Sequence, residues 1–206
     1  RGLVGSEMCI RDSYNIAIIG GGYAGMSAAL RLMRHARAYM KIWLIEQGTI
    51  GGIAYAEDKA EDWHFQNLQA GRLSIMREDP SHFLRWNKSI LDLDVSPRSP
   101  VLRHRQSLYS WDAMWGEEMK CDLAELRVCR AKVTGFEESG NAVKLNIDGS
   151  PKLQMSQDLL TNSDTALAMS VMFGSKPMPF EIKNSGANIT LPSEFHFAIL
   201  ANGHLE

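Results

Sequence analysis

Nowhere in the 206 residues is there an apolar run approaching the ~18 that a membrane-spanning helix needs. There is no arginine-rich tract or basic stripe of the kind that tracks nucleic acid, and the formal charge is only −2. Neither a membrane nor a nucleic acid is therefore expected as a partner. Cysteine is scarce, with three in the whole chain. None forms a C-x-x-C pair, which argues against dithiol redox chemistry and against a zinc half-site. Isolated cysteines such as Cys121 and Cys129 are usually small buried hydrophobes, and with no secretory h-region they point to a reducing, cytoplasmic setting. His64, His82, His104, His196 and His204 share no ligand spacing, so no metal is expected. No Ser/His/Asp order can be defended either, and the catalytic residues stay unknown at this level. Arg72 and Arg77 read as solvated loop arginines.

A start methionine is also missing, and residues 1–13 have no hydrophobic period. Met8 to Ser13 back-translates to a sequencing-adapter end, so this stretch is expected to be a non-native scar outside the fold. Residues 14–206 then form the domain. A strand at Phe195–Leu200 runs into Ala201-Asn202-Gly203 just before the chain stops, which predicts a C-terminally truncated fragment.

What is present is concentrated in residues 16–46. Ile16-Ala17-Ile18-Ile19 is a short apolar strand, and Gly20-Gly21-Gly22-Tyr23-Ala24-Gly25 follows at once. Met26, Ala28, Ala29, Leu30, Leu32 and Met33 continue at helical spacing, and a second strand, Ile42–Ile45, ends in Glu46. Each part has a physical task in a βαβ unit that holds a dinucleotide. Gly20 permits the tight turn, Gly22 lets the backbone approach a pyrophosphate, and Gly25 lets helix and sheet pack closely. The helix N-terminus, at Tyr23 and Ala24, directs amides and a positive dipole end at the diphosphate. Glu46, about twenty residues beyond Gly25, can accept hydrogen bonds from both ribose hydroxyls of an adenosine. A carboxylate there repels a 2′-phosphate, so FAD or NAD fits better than NADP.

Beyond this unit, residues 53–80 form a long connection of the kind that lines or covers a site. Asp79-Pro80-Ser81 predicts a helix start, with Phe83, Leu84 and Trp86 buried. Residues 93–105 read as a second connection. The spacing of Trp111, Met114, Trp115, Met119, Leu123 and Leu126 predicts a helix over 109–126 whose stripe is core rather than cofactor box. Arg127–Phe136 and Ala142–Ile147 read as strands of a hairpin turning at Ser139-Gly140-Asn141. Residues 150–193, rich in Ser, Asn, Gly and Pro, suggest loops around short strands of a β-meander. The fold class expected is α/β, with a parallel central sheet.

The ordered set Gly20-x-Gly22-x-x-Gly25, Glu46, Ala131-x-Val133 and Ala201-Asn202-Gly203 resembles the N-terminal region of flavoproteins with two dinucleotide-binding domains. More narrowly, Gly52-Ile53-Ala54-Tyr55, Gln66-Asn67-Leu68-Gln69-Ala70 and Asp79-Pro80-Ser81-His82-Phe83-Leu84-Arg85-Trp86 resemble the FAD-NAD(P)-binding family that includes bacterial FAD-dependent urate hydroxylases and an aspartate monooxygenase. The resemblance implies a Rossmann-like FAD/NAD(P)-binding fold, FAD as cofactor, NAD(P)H as co-substrate and a small-molecule substrate in a monooxygenase reaction. It implies that Val133 offers backbone hydrogen bonds to the adenine, that Asn67 lies near the isoalloxazine or ribityl chain, and that Gln47 and Gly203 join the cofactor site. Asn202 stands where threonine is usual, and Gln47 where a basic residue is common.

Two other readings stay open. An NAD-dependent dehydrogenase would use the same first motif without the strand leading into Ala201-Asn202-Gly203. A non-catalytic dinucleotide-binding module would keep the ligand for structure or sensing. The oligomeric state is not written in the sequence.

Overall fold

The computed structural model describes residues 13–48, 50, 64–114, 121–156 and 188–201. Expectations for the N-terminal scar up to residue 12, for 51–63, for Trp115 and Met119, for 157–187 and for 202–204 lie outside the described residues.

The element order is β1 (Tyr14–Ile19), α1 (Tyr23–Arg34), β2 (Met40–Glu46), a 3-10 turn (Ala70–Arg72), α2 (His82–Leu91), α3 (Arg103–Ala113), β3 (Ala124–Ser139), β4 (Ala142–Ser156) and β5 (Phe197–Leu200). The strands form one sheet in the order β4-β3-β2-β1-β5. β5, β1, β2 and the first half of β3 run parallel, and β4 is antiparallel to β3 at the edge. The expected α/β fold with a parallel centre is therefore the observed one.

The strand-turn-helix-strand signal was strong because both sheet faces are buried here, which turns β1 and β2 into continuous apolar runs. Ile18, Ile42, Leu44, Leu126 and Val128 face the helices. There they meet Met26, Ala29, Leu30 and Met33 of α1 with Phe83, Trp86 and Tyr109 of α2 and α3. Each large side chain so buried contributes about 1.5–3 kcal/mol. Ala17, Trp43, Ile45, Cys129 and Ala131 point to the other face, under Phe195, Leu191, Ile189 and the β4 residues Leu145, Ile147 and Leu153. Burial pushes the Cys129 thiol up to about 12, so it behaves as a core hydrophobe.

Helix α2 starts as expected. Asp79 Oδ1 accepts the Ser81 amide at 3.2 Å and the Ser81 hydroxyl at 2.8 Å, and Arg85 reaches back to the same carboxylate. Phe83 and Trp86 are buried, while Leu84 is half-buried.

Two expectations need correction. The helix predicted over 109–126 is α3, which begins at Arg103 and ends at Ala113, and Ala124 already opens β3. Among the α3 residues whose burial is described, Gln106, Tyr109, Ser110 and Ala113 are buried, at spacings i, i+3, i+4 and i+7. Two of those four are polar, with Ser110 Oγ donating to the Gln106 carbonyl at 2.9 Å, so an apolar pattern misses the helix start. Leu126 belongs instead to the period-2 burial of Ala124, Leu126 and Val128.

The second correction concerns the hairpin. It turns at Gly140-Asn141 as predicted, with Gly140 at φ +62°, but β4 runs on to Ser156 rather than stopping near Ile147. Residues 150–156 are therefore strand, continuous with the second arm of the hairpin. Gly149 (φ +80°) and Pro151 imitate a turn signal. They are absorbed by a register shift opposite Arg130 and Lys132, on an edge strand where a proline removes no ladder bond the sheet requires.

Candidate functional site

At the carboxyl ends of β1 and β2 the chain builds one continuous turn. Gly20 leaves β1 at φ +108°, the left-handed half of the map that only glycine enters freely, and its amide donates to the Ile45 carbonyl at 2.8 Å. Gly22 caps α1 with an extended backbone (φ −75°), and Met26 N–H closes the first helical bond onto the Gly22 carbonyl at 2.9 Å. No side chain caps this end, and no acidic residue lies in the first turn. The leading amides and the positive end of the helix dipole are thus presented at the end of the sheet, where a pyrophosphate would sit.

Glu46 ends β2 beside that turn and is half-buried. Its Oε2 accepts the Gly21 amide at 2.7 Å and its Oε1 accepts the Gly48 amide at 2.7 Å. A carboxylate offers about four acceptor positions, so one on each oxygen is still open for a ribose hydroxyl.

Close packing explains the glycines further. A Cβ on Gly25 would fall 1.9 Å from the Gly20 carbonyl oxygen and 3.4 Å from the Ala201 Cβ. A Cβ on Gly21 would meet Ile50 Cδ1 at 2.8 Å and Glu46 Cβ at 3.0 Å. The Gly20-x-Gly22-x-x-Gly25 motif marks neither Gly21 nor Ile50. The only signal for the former was the unbroken Gly20-Gly21-Gly22 run.

The remaining expected site residues are more scattered. Tyr23 is half-buried and Ala24 exposed in the first turn of α1, and Gln47 is exposed just after Glu46. Val133 lies three positions along β3 from Arg130, the residue paired with Glu46, where β3 has left β2 and pairs with Ile147 of β4. Asn67 is exposed on a separate segment, 64–72, which is laced to 97–103 by backbone bonds. Among these are Gln66 N–H to the Val101 carbonyl at 2.7 Å and Gly71 N–H to the Pro97 carbonyl at 2.9 Å. Gly203 lies outside the described residues. Its neighbour Ala201 is held at the site by its amide, which donates to the Ile19 carbonyl at 2.9 Å.

Among the described residues His82 Nδ1 shares a 2.7 Å hydrogen bond with Tyr109 Oη, whereas His196 Nδ1 accepts the Asn15 amide at 3.0 Å. Among the described residues no group of three metal-ligating side chains occurs. Arg72 and Arg77 are exposed. Among the described residues no helix is long and apolar enough to cross a membrane.

The donor set fits the ADP half of a dinucleotide: the amides of a helix N-terminus and a glycine turn for the diphosphate, a carboxylate with spare lone pairs for the ribose. None of the curated proteins compared with this chain matches it. Among solved structures it is similar to a flavin-containing monooxygenase from Stenotrophomonas maltophilia, at 21% identity over 69% of this chain and 36% of that one, with a TM-score of 0.42. It is also similar to the flavin-dependent monooxygenase PieE, solved with FAD and substrate (17% identity, 66% and 27% covered, TM-score 0.39). A third is CabE, an aromatic hydroxylase from angucycline biosynthesis (13% identity, 69% and 29% covered, TM-score 0.38). The chain spans about a third of the length of these structures. The sequence model of one family, described as FAD-NAD(P)-binding, matches residues 17–163, more than half of the chain. Together with the glycine turn and its acid, that match makes this chain a member of the FAD-NAD(P)-binding family.

Proposed function

We propose that this chain is the FAD-binding portion of an NAD(P)H-dependent flavoprotein oxidoreductase that hydroxylates a small molecule. The observation that supports it most is the closed turn itself, in which Gly20, Gly22 and Gly25 present the α1 amides beside a half-buried Glu46. In this reading the α1 amides hold the diphosphate and Glu46 holds the adenosine ribose. Val133 borders the adenine, and the 64–72 segment with Asn67 lies toward the flavin ring. Bound FAD would supply the electron chemistry, and the protein would contribute position and shielding from water. Gln47 and Gly203 are assigned to the margins of the same site, and no residue is assigned to oxygen chemistry.

β5 runs parallel to β1 and places Ala201 against the glycine turn, an arrangement that an NAD-binding sheet shares, so experiment has to separate FAD from NAD. The test is an absorbance spectrum of the purified protein. Flavin bands near about 450 nm that survive desalting, together with NAD(P)H oxidation, are the expected result. A folded, colourless protein that refuses added FAD but binds NAD would replace this reading with the dehydrogenase. One that binds FAD and oxidises neither NADH nor NADPH would leave a non-catalytic module.

A further inference from the structure

We propose that Glu46 is a positioning residue that sets the glycine turn before any ligand arrives, and that Ile50 holds it in that role. Three observations carry this. The carboxylate bridges two backbone amides from opposite sides, Gly21 across 25 residues and Gly48 two residues on, each at 2.7 Å. Ionised carboxylate-to-amide bonds of this length are among the stronger hydrogen bonds available to a backbone. The Gly21 side is packed shut, because the site of a Cβ there is already claimed by Ile50 Cδ1 at 2.8 Å and by Glu46 Cβ at 3.0 Å. Ile50 itself is only 5% exposed and belongs to the helix-side core, so the clamp is anchored in the interior rather than in the loop.

The consequence is a division of labour among the turn amides. Gly21 N–H is committed to Glu46 and is withdrawn from the diphosphate, which leaves the amides of the α1 first turn to bind it. Glu46 keeps one lone-pair direction on each oxygen for the ribose, and its geometry is fixed by the two amides it already holds. Affinity then depends on Glu46 twice: through ribose contacts and through a turn that needs no reorganisation on binding. The first dependence rests on the FAD reading; the second is a property of the ligand-free chain.

The test separates them. In the ligand-free protein, amide hydrogen exchange is followed for Gly21 and Gly48 against the β1 and β2 amides, in wild type, Glu46→Gln and Ile50→Val. A glutamine keeps one acceptor atom and cannot serve both amides as the carboxylate does, so at least one of the two should exchange about tenfold faster. Ile50→Val removes the Cδ1 that fills the space beside Gly21 and should loosen the same amides, to a smaller degree, while leaving the polar groups intact. FAD titration of the same variants follows. Selective acceleration at Gly21 and Gly48, with the strand amides unchanged, supports the clamp even if wild type fails to bind FAD, in which case only the cofactor reading falls. Unchanged exchange in Glu46→Gln overturns the clamp, and a loss of FAD affinity in that case would assign Glu46 to the ribose alone. Uniform acceleration of all amides would mean global destabilisation and would also overturn it.

Discussion

The position that a Cβ on Gly25 would occupy lies 1.9 Å from the carbonyl oxygen of Gly20. Helix α1 and the end of β1 are therefore in backbone contact, with no flexible side chain between them to give way. Gly25→Ala must displace the helix or the turn, and overpacking of this kind costs about 1–3 kcal/mol, here at the upper end. A thermal melt is expected to show a clear fall, and FAD retention should fail with it. An unchanged melting temperature would show that the turn is looser than this contact implies.

Gly22→Val should behave differently. Gly22 has an extended φ of −75° that valine adopts without strain. The fold is expected to survive, with circular dichroism and melting temperature near those of wild type, while flavin binding disappears because the side chain blocks approach of the diphosphate. Near-normal flavin content in this variant would move the diphosphate away from the α1 N-terminus.

Tyr109 ties the connection before α2 to the helical layer. Its hydroxyl accepts the Ile75 amide at 3.1 Å and shares a bond with His82, and its ring packs edge-on against Phe83 at 4.9 Å. Burial pushes the phenol up to about 12, so it stays neutral at any working pH. Tyr109→Phe keeps the ring and strands the buried Ile75 amide, for an expected loss of about 1–3 kcal/mol. The urea midpoint should fall with the slope unchanged. A midpoint equal to wild type would mean that water replaces the hydroxyl.

Asp112 is expected to make stability fall as pH rises. Burial lifts its carboxyl above the usual range, opposed by the Trp86 indole N–H donated to Oδ2 at 2.5 Å and by His82 nearby. A raised folded-state value means that its contribution is complete below the unfolded value, about pH 4, and is lost as pH climbs through the folded value. Asp79 is shifted the other way, chiefly by the Arg85 hydrogen bond, but it is common to both proteins in a comparison with Asp112→Asn. Asparagine keeps an oxygen for Trp86 and does not titrate. Relative to wild type, the variant should therefore gain stability between about pH 4 and pH 7, read from urea midpoints. A constant difference across that window would show that Asp112 stays solvated.

The glycine turn could be read from sequence because its requirements are local. Gly20, Gly22 and Gly25 answer to backbone geometry over six positions, and β1 and β2 announce themselves because both faces of the sheet are covered. Family membership followed from the same ordered motifs. Helix α3 starts earlier than the apolar pattern shows because two of its described buried residues, Gln106 and Ser110, are polar, and β4 runs past its apparent end because Gly149 and Pro151 read as a turn when a register shift could hold them.

Sequence alone thus determined the βαβ unit, its acid and the hairpin turn at Gly140, since each depends on neighbours within a few residues or on an unbroken apolar run. Only the tertiary structure decided that Glu46 grips Gly21 and Gly48, that Ile50 closes over Gly21, and that Ala201 abuts Gly25. Apart from the Glu46–Gly48 bond, those relations join segments far apart in the chain. Side chains meet there because strands β1, β2 and β5 end at the same edge of one sheet, and no periodicity along the chain encodes that meeting.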